Sequence, residues 1–135
     1  MTNPIFALRQ AMLARLSTDA ILLGLLGGAR INEETQRPPP PPCVTFGEAS
    51  VRDASASAMR ADEHQAVLTV WTDSGGAKQA FAIADQIVAS LETMGPTLDG
   101  HRLANLVALA TEVRREKDGR LTRAVIRVRA FTEPL

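Results

Sequence analysis

Cysteine and aromatic residues are scarce in this chain of 135 residues, and their scarcity excludes several kinds of site. The single cysteine, Cys43, rules out an internal disulfide and a cysteine-rich zinc site, and we interpret it as a small buried hydrophobe. Tyrosine is absent and tryptophan occurs once, so the chain has no row of aromatic rings on which single-stranded nucleic acid could stack. Trp71 is therefore interpreted as an anchor in the core or in a contact with another chain.

Neither sign of charge predominates, and no apolar run is long. The 15 basic residues equal the 15 acidic ones, which argues against bulk nucleic-acid binding but leaves room for a local basic strip. The longest apolar run, AILLGLLGGA from Ala20, is too short to span a bilayer. Arginines interrupt the apolar N-terminal stretch, so we expect no secretory signal and an intracellular, soluble protein.

Candidate catalytic and metal-binding residues are also few. The two histidines, His64 and His101, fall at predicted strand starts without clustered carboxylates or thiols, which disfavours a metal site. Ser74, within the segment DSGG, resembles a serine-hydrolase fragment, but no base is predicted within its reach. We predict no catalytic residue, cofactor or metal ligand, and we keep a small hydrolase or ligand-binding domain as a remote alternative.

The spacing of apolar residues predicts two N-terminal helices. The first, over residues 5–16, carries an apolar stripe. The stripe consists of Ile5, Leu8, Met12, Leu13 and Leu16. The second helix, from Asp19 to Leu26, is predicted to end at Gly27-Gly28, because glycine suits a left-handed C-terminal cap.

Prolines and small polar residues occupy the middle of the chain. Residues 38–42 are all proline and predict a stiff polyproline II connector, with a ligand for a proline-recognition domain as the alternative. Residues 43–46 and 64–72 are predicted to be strands. The polar, aperiodic residues 48–63 between them predict a long mobile loop that a partner could order. Its candidate partner-ordered residues are Val51, Arg52, Met59 and Arg60.

Two apolar runs that flank Asp118-Gly119 predict a final β-hairpin over residues 101–132. A two-residue turn there pairs Thr111 with Ile126. The same register, continued along the strands, pairs Leu109 with Val128 and directs both side chains toward the core.

The opposite face of this hairpin mixes apolar side chains with arginine, which is typical of a contact between subunits. The candidate interface residues are Leu106, Glu112, Arg114, Arg123, Val125, Arg127 and Arg129. A solvated face with weak ion pairs is an equally supported alternative, and a basic strip that touches DNA phosphates is a third.

The predicted order of elements is α-α-β-β-α-β-β, with the third helix over residues 77–94 and an apolar stripe that includes Phe81. This order predicts a single α+β domain over residues 1–135, in which helices pack on one face of an antiparallel sheet of about four strands.

The order and spacing of the segments resemble the tail-completion, or tail terminator, family of long-tailed phages and gene transfer agents. The segments that carry the resemblance are LLGG after the N-terminal helices, CVTFGE, HQAVLTVWTDSGGAKQAFAIADQIVASLE, LDGHRL, and KDGR in a final hairpin that closes with RVRAF. The resemblance implies a structural protein without catalytic residues or cofactors.

The resemblance also implies a ring, typically a hexamer, that caps the tail tube, ends its polymerisation and joins it to the head. The implied partners are other copies of the chain, the tail tube protein and the head–tail connector or stopper protein. DNA would pass through the lumen of the ring without sequence-specific contact, and no membrane is involved. The implied location is the host cytoplasm during assembly and then the neck or tail of the phage or phage-like particle. Another neck component, a head-completion adaptor or stopper, is the alternative.

Overall fold

Three helices and six strands occupy the described part of the chain. The computed structural model describes residues 3–33, 40–73, 76–116 and 119–135. The elements are α1 (Pro4–Ser17), α2 (Ala20–Leu26), β1 (Ile31–Glu33), β2 (Cys43–Asp53), β3 (Asp62–Thr72), α3 (Gly76–Glu92), β4 (Thr97–Leu98), β5 (His101–Arg115) and β6 (Thr122–Pro134). Part of the predicted polyproline connector, residues 38–39, and part of the predicted turn, residues 117–118, lie outside the described residues.

The strands form one sheet in the order β1-β2-β3-β6-β5-β4. β1 pairs with β2 in parallel, and the other pairs are antiparallel. The prediction of about four antiparallel strands is therefore correct for β2, β3, β5 and β6 and misses the short β1 and β4. Strands of three and two residues are too short to show an alternating pattern, so only pairing with a neighbour defines them.

The predicted caps of α2 are confirmed, and they also tie the helices together. The side chain of Asp19 accepts a hydrogen bond from the Leu22 amide at 3.1 Å, and Gly27 ends the helix with a φ of 75°. Nε2 of Gln86 in α3 donates to the second carboxylate oxygen of Asp19 at 2.8 Å. One aspartate therefore begins α2 and fixes it against α3.

The hydrophobic core lies between the helices and one face of the sheet. Buried side chains of α1, α2 and α3 pack there against those of the four long strands. The largest of them include Leu16, Leu22, Ile83, Ile87, Leu68 and Ile126. The predicted stripe of α3 is wrong at Phe81, which is 50% exposed, whereas Ile83 is fully buried in the core.

The predicted loop over residues 48–63 is wrong for much of its length. β2 continues to Asp53 and β3 begins at Asp62, so a connection of residues 54–61 remains. Small polar residues form strands here because β3 pairs with β6 along its entire length and in turn supports β2. Of the candidate partner-ordered residues, Val51 and Arg52 are strand residues, and Met59 lies in the connection, 65% exposed.

The predicted register of the final hairpin is confirmed at Thr111, which pairs with Ile126, and fails at Leu109. A β-bulge there makes Ala108 the partner of Val128, and side chains beyond it change faces. Leu109 is consequently 50% exposed, and Leu106 is buried in the core at 6%. The prediction that Leu106 belongs to the outer face is wrong, because a single extra residue reverses the alternation.

Candidate functional site

The face of the sheet that points away from the three helices carries most of the predicted interface residues. We call this surface the outer face. It comprises Val67, Thr69 and Trp71 of β3, Arg123, Val125, Arg127 and Arg129 of β6, and Glu112 and Arg114 of β5. The described helices contribute their buried side chains to the opposite face, so no described helix covers this one. An uncovered sheet face with apolar and charged residues is available for contact with another chain.

Glu112, Arg114 and Arg123 meet near the turn end of β5 and β6. Nη2 of Arg114 lies 3.5 Å from Oε2 of Glu112, and the two side chains are 66% and 49% exposed. Nε of Arg123 lies 3.0 Å from Oε1 of Glu116 but forms no hydrogen bond there, so this is an ion pair by distance alone. The exposed pair of Arg114 and Glu112 contributes only about 0–1 kcal/mol, so a partner chain can displace it at little cost.

The two arginines in the middle of the outer face differ in what they contact. Arg127 lies opposite Ala110, is exposed, and makes no hydrogen bond or ion pair with any described residue. The guanidinium carbon of Arg129 lies 5.6 Å from the centre of the Phe131 ring, a cation–π contact. Of the two, Arg127 is thus the one without a contact that a partner carboxylate would have to displace.

Two open depressions lie along this side of the sheet, with volumes of about 350 Å³ and 270 Å³. Glu48, Val67 and Arg127 line both. Their walls combine apolar and charged side chains, as surfaces that contact other proteins do.

Trp71 and Cys43 lie at the β2 side of the sheet. Nε1 of Trp71 donates to Oγ1 of Thr45 at 3.2 Å, and its ring is half-buried. Cys43 is fully buried, as predicted, and burial raises the pKa of its thiol although Arg30 opposes the rise. The thiol is therefore protonated at neutral pH and unreactive.

The two histidines lie on the core side of the sheet, away from the outer face. Nε2 of His64 is 2.8 Å from Oγ1 of Thr132, and both residues are buried. Burial lowers the pKa of His64, the charge of Asp62 opposes this, and nearby His101 adds to the lowering. Within residues 3–33, 40–73, 76–116 and 119–135, no three His, Cys, Asp or Glu side chains are placed to hold a metal ion. Ser74 lies outside the described residues.

No helix among the described residues is both long and apolar enough to cross a membrane. The α+β domain thus presents a charged, uncovered sheet face on which another chain could pack. The family of this chain is shown directly: it belongs to the tail completion protein gp17 family, whose model matches residues 10–133. The resemblance seen in the sequence is thereby confirmed.

Two solved structures share the fold. A chain in the virion of a native gene transfer agent particle is 28% identical with a TM-score of 0.84, and the match covers 98% of this chain and 99% of that one. The gp17 protein of bacteriophage SPP1 is 19% identical with a TM-score of 0.63, over 93% of this chain and 88% of that one. At 19% identity the similarity to the SPP1 protein shows the fold alone. No curated protein matches this chain.

Proposed function

We propose that this tail completion protein forms a ring of identical subunits at the end of the tail tube. The ring stops polymerisation of the tube and presents the surface that joins the tail to the head connector or stopper protein. The observation that carries the proposal is the match, along nearly the whole length of both chains, to a chain of a gene transfer agent virion.

The outer face supplies a contact between subunits in this proposal. A closed ring of identical chains requires heterologous contacts, in which two different surfaces of the chain meet. Interfaces of this kind place arginine and apolar side chains together, as Arg127, Arg123 and Val125 are placed here. DNA passes through the lumen without sequence-specific contact, because that role requires no base-reading residues.

The connection between β2 and β3 is proposed to contact the tail tube or the connector. Met59 is 65% exposed, and the adjacent Arg60 is exposed as well. The backbone of the connection is held by a two-way hydrogen-bond bridge between Ala56 and Met59, 3.0 Å in each direction. A fixed backbone with an exposed apolar tip loses little conformational entropy when it binds.

Electron microscopy of particles that contain the chain tests the proposal. The expected result is a ring of this protein that touches the last layer of the tail tube, together with closed oligomers in native mass spectrometry. A ring that touches only the head side would instead make the protein a head-completion adaptor or stopper. Absence of the chain from the neck would refute both assignments.

A further inference from the structure

The two margins of the sheet are each covered over only part of their length. β1 pairs with β2 at residues 44–46, and β4 pairs with β5 at residues 101–102. Beyond these pairs, β2 runs on to Asp53 and β5 to Arg115. Each margin therefore has a stretch of strand without a described neighbour, and such an edge is a template for pairing with another chain.

Nearer to β1 and β4, three outward amides of the two margins have hydrogen-bond partners. On β5, the Leu103 amide donates to the Pro96 carbonyl at 2.7 Å, and the Ala108 amide donates to the Glu92 carboxylate at 2.9 Å. On β2, the Val44 amide donates to the Arg30 carbonyl at 2.8 Å. The protection stops before residues 49–53 and 111–115, so these stretches are the open parts.

The hydrogen bonds at the start of each connection show which backbone groups of the open stretches point outward. The Ala54 amide donates to the Ala61 carbonyl at 2.9 Å, so even-numbered residues of this part of β2 bond to β3. The amides and carbonyls of Ala49, Val51 and Asp53 consequently point away from the sheet. None of these backbone groups has a hydrogen-bond partner outside the sheet ladders in the described part of the chain.

The open stretch of β5 has the same alternation of backbone groups. The Glu116 amide donates to the Leu121 carbonyl at 2.8 Å, so even-numbered residues of this part of β5 bond to β6. The amides and carbonyls of Thr111, Val113 and Arg115 point outward, and again no described residue outside the ladders bonds to them.

We propose that the open edge of β2 in one copy pairs in an antiparallel ladder with the open edge of β5 in the next copy. The proposal rests on the ring proposed above and names the contact that closes it. β2, β3, β6 and β5 alternate in direction, so a second copy placed edge to edge continues the alternation. Three outward-pointing residues face three others, which allows up to about six backbone hydrogen bonds at each contact.

Charge selects the register of this ladder. With Val51 opposite Val113, Arg52 of one copy faces Glu112 of the next on the outer face. A shift of two residues one way would place Arg52 against Arg114, a pair of like charges, and the other way against Ala110, which offers it no carboxylate. Nη2 of Arg52 lies 2.9 Å from Oε1 of Glu63, and the Arg52 side chain remains 75% exposed, so it is held in place and open to a second carboxylate. The edge contact thus continues onto the outer face through Glu112.

Disulfide trapping tests the edge contact in assembled particles. In the proposed register Ser50 faces Arg114 of the next copy, so the variant Ser50→Cys with Arg114→Cys places two thiols within disulfide reach. Within one chain these positions are at least three strand spacings apart, a lower bound of roughly 14 Å, which no disulfide can span. The native Cys43 is fully buried and does not compete. The matched control, Ser50→Cys with Ala110→Cys, moves one thiol about 13 Å along the same face of β5.

Mild oxidation should cross-link the Ser50→Cys, Arg114→Cys chains into dimers and higher oligomers on a non-reducing gel. The cross-linked fraction should be at least tenfold that of the control. If the particle contains the ring but the variant does not cross-link, or cross-links no more than the control, the edge contact is refuted and the proposed function stands. Absence of the chain from the neck of particles with the native chain would overturn the proposed function itself.

A proline variant provides a second test that does not depend on cysteine pairs. No described residue bonds to the Val113 amide, so Val113→Pro should fold. The proline removes one hydrogen bond of the proposed ladder and blocks the edge. Ring formation should fall more than tenfold in Val113→Pro and stay unchanged in Val113→Thr, which keeps the amide. Rings of Val113→Pro at the native level would refute the proposal.

Discussion

Truncation of Leu106 tests the β-bulge that changes the faces of β5. Leu106 is buried at 6% exposure, whereas Leu109, three residues along the same strand, is 50% exposed. In a straight register without the bulge, Leu109 would face the core and Leu106 would face outward. Leu106→Ala and Leu109→Ala remove the same atoms from one strand, so each variant is the control of the other.

The expected losses differ enough to be measured. A buried Leu→Ala change costs about 3 kcal/mol of unfolding free energy, since it removes transfer energy and leaves a cavity. The half-exposed Leu109 loses about 1 kcal/mol at most, because only part of its surface leaves water on folding. With a urea slope of about 2 kcal/mol per molar, these losses lower the unfolding midpoint by about 1.5 M and at most about 0.5 M.

Urea unfolding, followed by the fluorescence of Trp71, gives both midpoints. The slopes should remain equal to that of the native protein, so that the midpoints report stability alone. A loss at Leu109 as large as that at Leu106, or larger, would show that the straight register is correct and that the outer face is misassigned.

Two further predictions concern charge. The charge-reversal variant Arg127→Glu, Arg129→Glu should form fewer rings in native mass spectrometry. Its unfolding free energy should change by only about 0.5 kcal/mol or less, because both side chains are exposed. Rings at the native level would show that these arginines are not part of the subunit contact and would leave the edge pairing untouched. Burial lowers the pKa of His64 below its ordinary 6.5, so on acidification the unfolded chain is protonated at this residue before the folded chain is. The unfolding free energy therefore falls as the pH drops from above 6.5 through the pKa of the folded state. His64 changes the unfolding free energy by at most about 1.4 kcal/mol per pH unit. The variant His64→Gln should lose that part of the pH dependence in urea titrations. If its pH dependence is unchanged, other groups are responsible for it.

Much of the candidate site could be predicted from the alternation of residues in β6. Arg123, Val125, Arg127 and Arg129 lie on the outer face as predicted, because β6 pairs with β3 without interruption and its alternation persists. Glu112 and Arg114 are also placed correctly, since they lie between the turn and the bulge. Leu106 lies beyond the bulge, and its face could not be predicted from the alternation.

The open edges could not be predicted from the sequence at all. Whether a strand has a neighbour depends on the order of strands in the sheet. That residues 49–53 and 111–115 lie at open edges is therefore a property of the entire topology. The extension of β2 through small polar residues has the same origin, because β3 supports it from one side.

The sequence by itself determined the local structure and the family. Asp19 and Gly27 set the ends of α2 through their own side-chain and backbone chemistry, and the alternation of β6 set its two faces. Tertiary structure alone decided the bulge at Leu109, the short strands β1 and β4 and the length of β2. These features are non-local: each arises from the fit between strands that are far apart in sequence, and no window of neighbouring residues contains that information.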